Sequence, residues 1–168
     1  MNSKFQKENN FAYIDSANLH NGVLSLGWKL DYKKFRIWLK DKYHITNAYL
    51  FMGFVSKYKG LYTYLQEAGF ILIYKEVTYD GIGKVKGNCD ALLVLKTVCD
   101  FYEKNCEKAV IIASDGDYAE LVHFLKEKKA LRMVISPNRK CSYLLRKQNI
   151  PLLYLDDQRS KMESVKRP

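Results

Sequence analysis

Short apolar runs recur along the chain at residues 11–14, 48–51, 70–74, 110–113, 132–135 and 152–155, and most segments between them space their apolar residues as helices do. A strand that is apolar on both faces needs cover on both, and intervening helices supply it. The alternation therefore predicts a central, mainly parallel sheet between two helical layers, a three-layer α/β/α sandwich of Rossmann-like type. Tyr32, Phe35, Trp38 and Leu39 follow Asp31, which is expected to cap their helix. Ala91, Leu95, Val98, Cys99 and Tyr102 mark a second helix, and Tyr118, Leu121, Val122 and Leu125 a third that closes on Lys126, Lys128 and Lys129. A weaker helix is expected over 58–68, ending near Gly69, and a short one over 141–147 after Pro137.

A chain of 168 residues is about one domain long. No linker or repeat divides it, so residues 11–155 are expected to form the domain, with polar, mobile ends at 1–10 and 156–168. No apolar stretch reaches the roughly 18 residues of a membrane span and the first residues lack a signal-peptide centre, so a cytoplasmic protein without a membrane partner is expected. Cys89, Cys99, Cys106 and Cys141 show no C-x-x-C spacing and are expected to be reduced and not to bind metal. His20, His44 and His123 also lack metal-site spacing, although His20 lies close to Asn18.

Lys and Arg number 28 against 18 Asp and Glu, a formal net charge of +10. That balance suits a phosphate backbone, although a solvated basic surface would look the same. Against it stand four acids placed just past apolar runs or at helix starts: Asp15, Asp90, Asp115 and Asp117. In an open parallel sheet, residues just past the carboxyl ends of the strands line the crevice where ligands bind. Each acid also has a plainer reading as a turn or helix cap. Ser114-Asp115-Gly116-Asp117 is the stronger signal, because Gly116 permits a tight turn between two carboxylates that repel unless a proton or a cation sits between them.

Oxygen ligands favour Mg²⁺ or Mn²⁺ over zinc, and such an ion acidifies water and neutralises charge on a phosphodiester. Asn18 and Ser114 are candidate supporting residues, and Lys84 and Lys86 are candidate backbone contacts in an expected flexible loop beside Asp90. That loop holds Gly81-Ile82-Gly83-Lys84 but lacks the spacing of a phosphate loop. A phosphatase with a first-strand D-x-D is ruled down by Ser16 and Ala17 after Asp15.

Ile14-Asp15-Ser-Ala-Asn18-Leu19, Lys86-Gly-Asn-Cys-Asp90 and Ser114-Asp115-Gly-Asp117-Tyr118 together resemble the three acidic motifs of NYN domains, the LabA-like branch of the PIN-like nuclease superfamily. The resemblance spans about residues 11–155 and implies a PIN-like α/β/α fold in which Asp15, Asp90, Asp115 and Asp117 bind Mg²⁺ or Mn²⁺ to hydrolyse RNA, expected to be single-stranded. Many relatives carry a further Asp about two helical turns after the middle acid, where this chain has Lys96. A lysine there either withdraws a ligand or adds a phosphate contact. The readings that follow are a metal-dependent ribonuclease and, alternatively, a catalytically weak or inactive module that binds RNA or a protein partner. The oligomeric state is left open.

Overall fold

The computed structural model describes residues 8–76, 78, 79, 81, 82, 85, 86 and 89–165, with the backbone alone at 78, 79, 85 and 86. The chain runs β1 (Asn10–Asp15), α1 (Ser16–Leu24), α2 (Tyr32–Tyr43), β2 (Ile45–Gly53), a 3-10 turn (Ser56–Tyr58), α3 (Lys59–Glu67) and β3 (Ile71–Lys75). After β4 (Thr78–Tyr79) and β5 (Val85–Lys86) come α4 (Asp90–Tyr102), β6 (Ala109–Ile112), a 3-10 turn (Gly116–Tyr118), α5 (Ala119–Glu127) and β7 (Leu131–Ser136). The chain closes with α6 (Tyr143–Arg146), β8 (Leu152–Tyr154), a 3-10 turn (Leu155–Gln158) and α7 (Arg159–Met162).

The main sheet has six strands in the order β3-β2-β1-β6-β7-β8, and every neighbouring pair is parallel. The strand order reverses between β1 and β6, and the crevice at the carboxyl ends of those two strands is the switch point of the fold. Both strands are covered on both faces, as their unbroken apolar runs require. Phe11 and Tyr13 share one core with Ile111, Leu93 of α4 and Leu121 and Leu125 of α5. Ala12 and Ile14 share the other with Ile112, Leu19 of α1, Leu39 of α2 and Leu65 of α3. Side chains alternate across a strand, so Asp15 falls on the Tyr13 side, toward α4. Asp31 caps α2 by accepting from the Lys34 N–H at 3.1 Å, as the sequence predicts.

Three expectations need correction. The segment before Asp90, read as a loop, contains a two-stranded antiparallel ribbon that pairs Thr78 with Lys86 and Tyr79 with Val85. In α4 the sheet-facing stripe is Leu93, Thr97 and Asp100, while Leu95 and Tyr102 are 60% and 64% exposed. A helix apolar nearly all round does not reveal its inner face by spacing alone. The polar segment after residue 155, expected to be a mobile tail, folds back as far as Ser164: Met162 and Leu155 are buried, the Trp28 indole N–H donates to Asp156 Oδ1 at 3.0 Å, and Ser164 N–H donates to Lys29 O at 2.8 Å. All four cysteines are free thiols. No described helix is long and apolar enough to cross a membrane.

Candidate active site

Strand β1 passes into α1 without a loop, and this places Asp15 at both the strand end and the helix N-cap. Its Oδ1 accepts from the Asn18 N–H at 2.9 Å. The Asn18 side chain then crosses to the end of β6, where its Oδ1 accepts from the Ser114 N–H at 2.8 Å and from the Ser114 hydroxyl at 2.9 Å. Asn18 and Ser114 are therefore a brace between the two central strands at the switch point. Asn18 Nδ2 donates to no described residue, and Asn18 stands on the wall of the crevice.

The other oxygen of Asp15 meets Tyr118. This tyrosine, fully buried, closes the 3-10 turn after β6 and inserts its hydroxyl between two carboxylates, 2.9 Å from Asp15 Oδ2 and 2.6 Å from Asp90 Oδ1. Asp90 is the first residue of α4, where the helix dipole favours a carboxylate. One hydroxyl proton cannot be given to both acids at once. Burial raises the Asp15 carboxyl above the usual carboxylate range and the nearby Asp90 adds to this, against the Asn18 N–H and the Tyr118 hydroxyl, which favour the ionised form. Burial, with both carboxylates reinforcing it, also holds Tyr118 protonated. The Tyr118 hydroxyl thus ties the two carboxylates together through a single proton.

Asp115 borders the same crevice but is exposed, and its carboxylate caps the following turn by accepting from the Asp117 N–H at 3.1 Å. Asp117 is exposed and is not part of the crevice wall. The chain therefore joins Asp15 to Asp90, sets Asp115 at the margin and leaves Asp117 outside. Lys84 lies outside the described residues, and of Lys86 only the backbone, in β5, is described. Among the described residues no group of three or more His, Cys, Asp or Glu is placed to hold a metal ion. A hard divalent cation fits the pair nonetheless, because Mg²⁺ is usually held by one or two carboxylates and completes its shell with waters and substrate phosphates.

Gly116 serves another purpose than a tight turn. A Cβ there would stand 2.7 Å from Ser142 Oγ and 3.1 Å from Leu144 Cδ1, so glycine lets the α6 segment press against the 3-10 turn. Lys96 is committed elsewhere: its ammonium lies 2.6 Å from Asp100 Oδ1 and 4.9 Å from the Tyr49 ring centroid. Sequence reasoning missed Tyr118 as the bridge. Its place at the start of an apolar helical stripe reads as core, and only its position directly after two acids hints at more.

A parallel sheet with paired carboxylates at its switch point defines an α/β/α protein with an acidic crevice. The NYN domain family matches residues 11–152, and the chain belongs to that family. A solved structure of a Vibrio parahaemolyticus protein of unknown function shares the fold, with a TM-score of 0.77 and 19% identity over 98% of this chain and 100% of that one. No curated protein matches the sequence.

Proposed function

We propose that this NYN protein is a metal-dependent ribonuclease that hydrolyses phosphodiester bonds of single-stranded RNA in the crevice at Asp15 and Asp90, with Mg²⁺ or Mn²⁺ as cofactor. The observation that carries the reading is the Asp15–Tyr118–Asp90 bridge. Carboxylates from separate elements are drawn together at a place where a buried charge is costly without a counter-charge. A divalent cation bound there would acidify a water and neutralise charge on the phosphodiester. Asp15 and Asp90 hold that cation, and Asp115 at the margin is placed to accept from water or substrate. Tyr118 fixes the spacing of the two carboxylates and keeps its own hydroxyl proton while donating to them. Asn18 and Ser114 hold the Asp15 corner against β6, and Asn18 Nδ2 is left to donate to a phosphate oxygen. The net charge of +10 draws the polyanion to the surface.

A second reading follows from the positions of Asp115 and Asp117, the one engaged as a cap and the other off the crevice wall. With two of the four acids outside the centre, the chain would be a weak or inactive module that binds RNA. End-labelled single-stranded RNA incubated with Mn²⁺ or Mg²⁺ separates the two. The ribonuclease reading expects fragments that vanish in EDTA, and an Asp90→Asn rate lower by about 10²–10³-fold, the scale of losing one group that stabilises transition-state charge. RNA that stays intact while bound leaves the module.

A further inference from the structure

The crevice does not end at the acids. From Asp15, Asp90 and Asp115 it continues between α1 and α3, over the end of β2, to Tyr58, Leu61 and Tyr62, and encloses about 1020 Å³. A site for one small ligand spans roughly 300–1,000 Å³, so this one has room for more than the reacting phosphate. Tyr58 and Tyr62 stand at its far end, and Phe54 and Tyr74, which lie off its wall, pack on Tyr62. Phe54 lies 5.7 Å from Tyr62 and 5.4 Å from Tyr74, and Tyr62 lies 5.2 Å from Tyr74, measured between ring centroids. Tyr62 is the buried member; its hydroxyl accepts from the Val55 N–H at 2.8 Å and lies 3.1 Å from Val55 O, which fixes the segment leaving β2. The other rings are open to solvent: Phe54 is 42% exposed, Tyr74 38% and Tyr58 46%.

Lysines alternate with these rings. Lys57 and Lys59 flank Tyr58 in sequence, and the Lys57 ammonium sits 5.0 Å from the Tyr58 ring centroid. Half-exposed rings on a fixed ledge, with cations between them, suit a polymer that carries flat apolar faces and negative charge in alternation. A protein surface offers no such repeat. In a duplex the base faces are already stacked, so the polymer is single-stranded.

We infer that this ledge is a base-stacking subsite for single-stranded nucleic acid. Nucleotides flanking the bond held at Asp15 and Asp90 lay their bases on Tyr58 and on the Phe54–Tyr74 edge, and Lys57 and Lys59 take the intervening phosphates. The inference rests on the ribonuclease reading for what lies at the acidic end, but base stacking itself requires no cleavage.

Binding of a fluorescently labelled uridine oligomer, followed by anisotropy in EDTA, tests the subsite apart from any cutting. Tyr58→Ala is expected to weaken binding about tenfold, within the range of one lost base–aromatic stack, and Tyr58→Phe to bind as the parent does. Lys57→Ala should lower the slope of log affinity against log salt by about 0.7, the share of one phosphate contact on a single strand. An oligomer with abasic positions should bind the parent and Tyr58→Ala alike. Tyr58 makes no side-chain hydrogen bond to a described residue, and an unchanged melting temperature for its variants excludes misfolding. Equal affinity of parent and Tyr58→Ala for the intact oligomer overturns the subsite even if the parent cuts RNA with Mn²⁺. A parent that binds through Tyr58 but does not cut supports the subsite and removes the ribonuclease reading. A parent that binds no single strand overturns the subsite and leaves the ledge to a protein partner.

Discussion

Asp100, fully buried, and Asp15, half-buried, each meet a buried tyrosine on the same side of the sheet, and their surroundings differ. Asp100, fully buried on α4, accepts from the Tyr13 hydroxyl at 2.9 Å, from Asn105 Nδ2 at 2.9 Å and from the Lys96 ammonium at 2.6 Å. Every demand of that carboxylate is met from within the chain. Asp15 accepts from backbone N–H groups at the start of α1 and from Tyr118, and no described lysine or arginine forms an ion pair with it. A buried carboxylate is therefore not by itself a sign of function. What separates the two is whether the fold supplies the counter-charge, and at Asp15 it is left to a proton or to something that binds.

The comparison breaks first at Lys96. If Lys96 belongs to the Asp100 cluster, Lys96→Met should cost roughly 3 kcal/mol of stability in urea unfolding, the lower end for stranding a buried charge, because the ammonium is itself one-third exposed. RNA cleavage per folded molecule should stay at the parent level. A stable Lys96→Met protein with altered cleavage would place the lysine at the crevice instead. Burial works against the ammonium, and the Asp100 carboxylate outweighs it, so Lys96 titrates above the usual lysine value. The ion pair therefore contributes fully below the unfolded lysine pKa and is lost as pH rises through the folded one.

A second prediction concerns the packing that sets Tyr118 in place. Gly116→Ala brings a methyl against Ser142 Oγ, the atom that caps α6, and against Leu144. Overpacking of this kind costs about 1–3 kcal/mol. Because the same turn carries Tyr118, the crystal structure of the variant should show the hydroxyl displaced from Asp15 or Asp90. A variant as stable as the parent would mean that the α6 segment gives way freely and does not position the site.

The six main strands were legible because the central ones are built on unbroken apolar runs: residues 110–112 of β6 are fully buried on both faces and read as one such run. Asp15 and Asp90 were legible by their place at a strand end and a helix start. Their bridge was not, since only its place after two acids distinguishes Tyr118 from a core tyrosine, and the contacts that define it span 103 and 28 residues. The inner face of α4 was hidden for a related reason. Asp100 turns inward only because Tyr13 and Asn105, brought in by β1 and by the turn after the helix, join Lys96 around it. The C-terminal segment was misread through its polar composition, although Leu155 and Met162 are enough to dock it beside Trp28.

The smallest effect sharpens the comparison most, because it asks how Asp15 is compensated when no metal is bound. Asp15→Asn keeps an oxygen for the α1 cap, at which Asn and Asp are about equal. It removes the charge that burial opposes. The folded Asp15 carboxyl titrates above its unfolded value, so the folded state binds more protons between the two and the parent loses stability as pH rises through that window. The variant has no such loss. In EDTA, thermal unfolding should therefore show Asp15→Asn at or above the parent at neutral pH, with the gap closing as pH falls below the ordinary aspartate range. Mn²⁺ should then reverse the order, raising the parent's melting temperature and the variant's less, since a ligand that binds only the folded state stabilises it by mass action. The matching change at the other cluster, Asp100→Asn, should destabilise at every pH above the carboxylate range with or without Mn²⁺, because it discards a charge that Lys96 already answers. If the two variants respond to pH and to Mn²⁺ in the same way, the distinction between a compensated and an uncompensated aspartate is wrong, and Asp15 is a helix cap like any other.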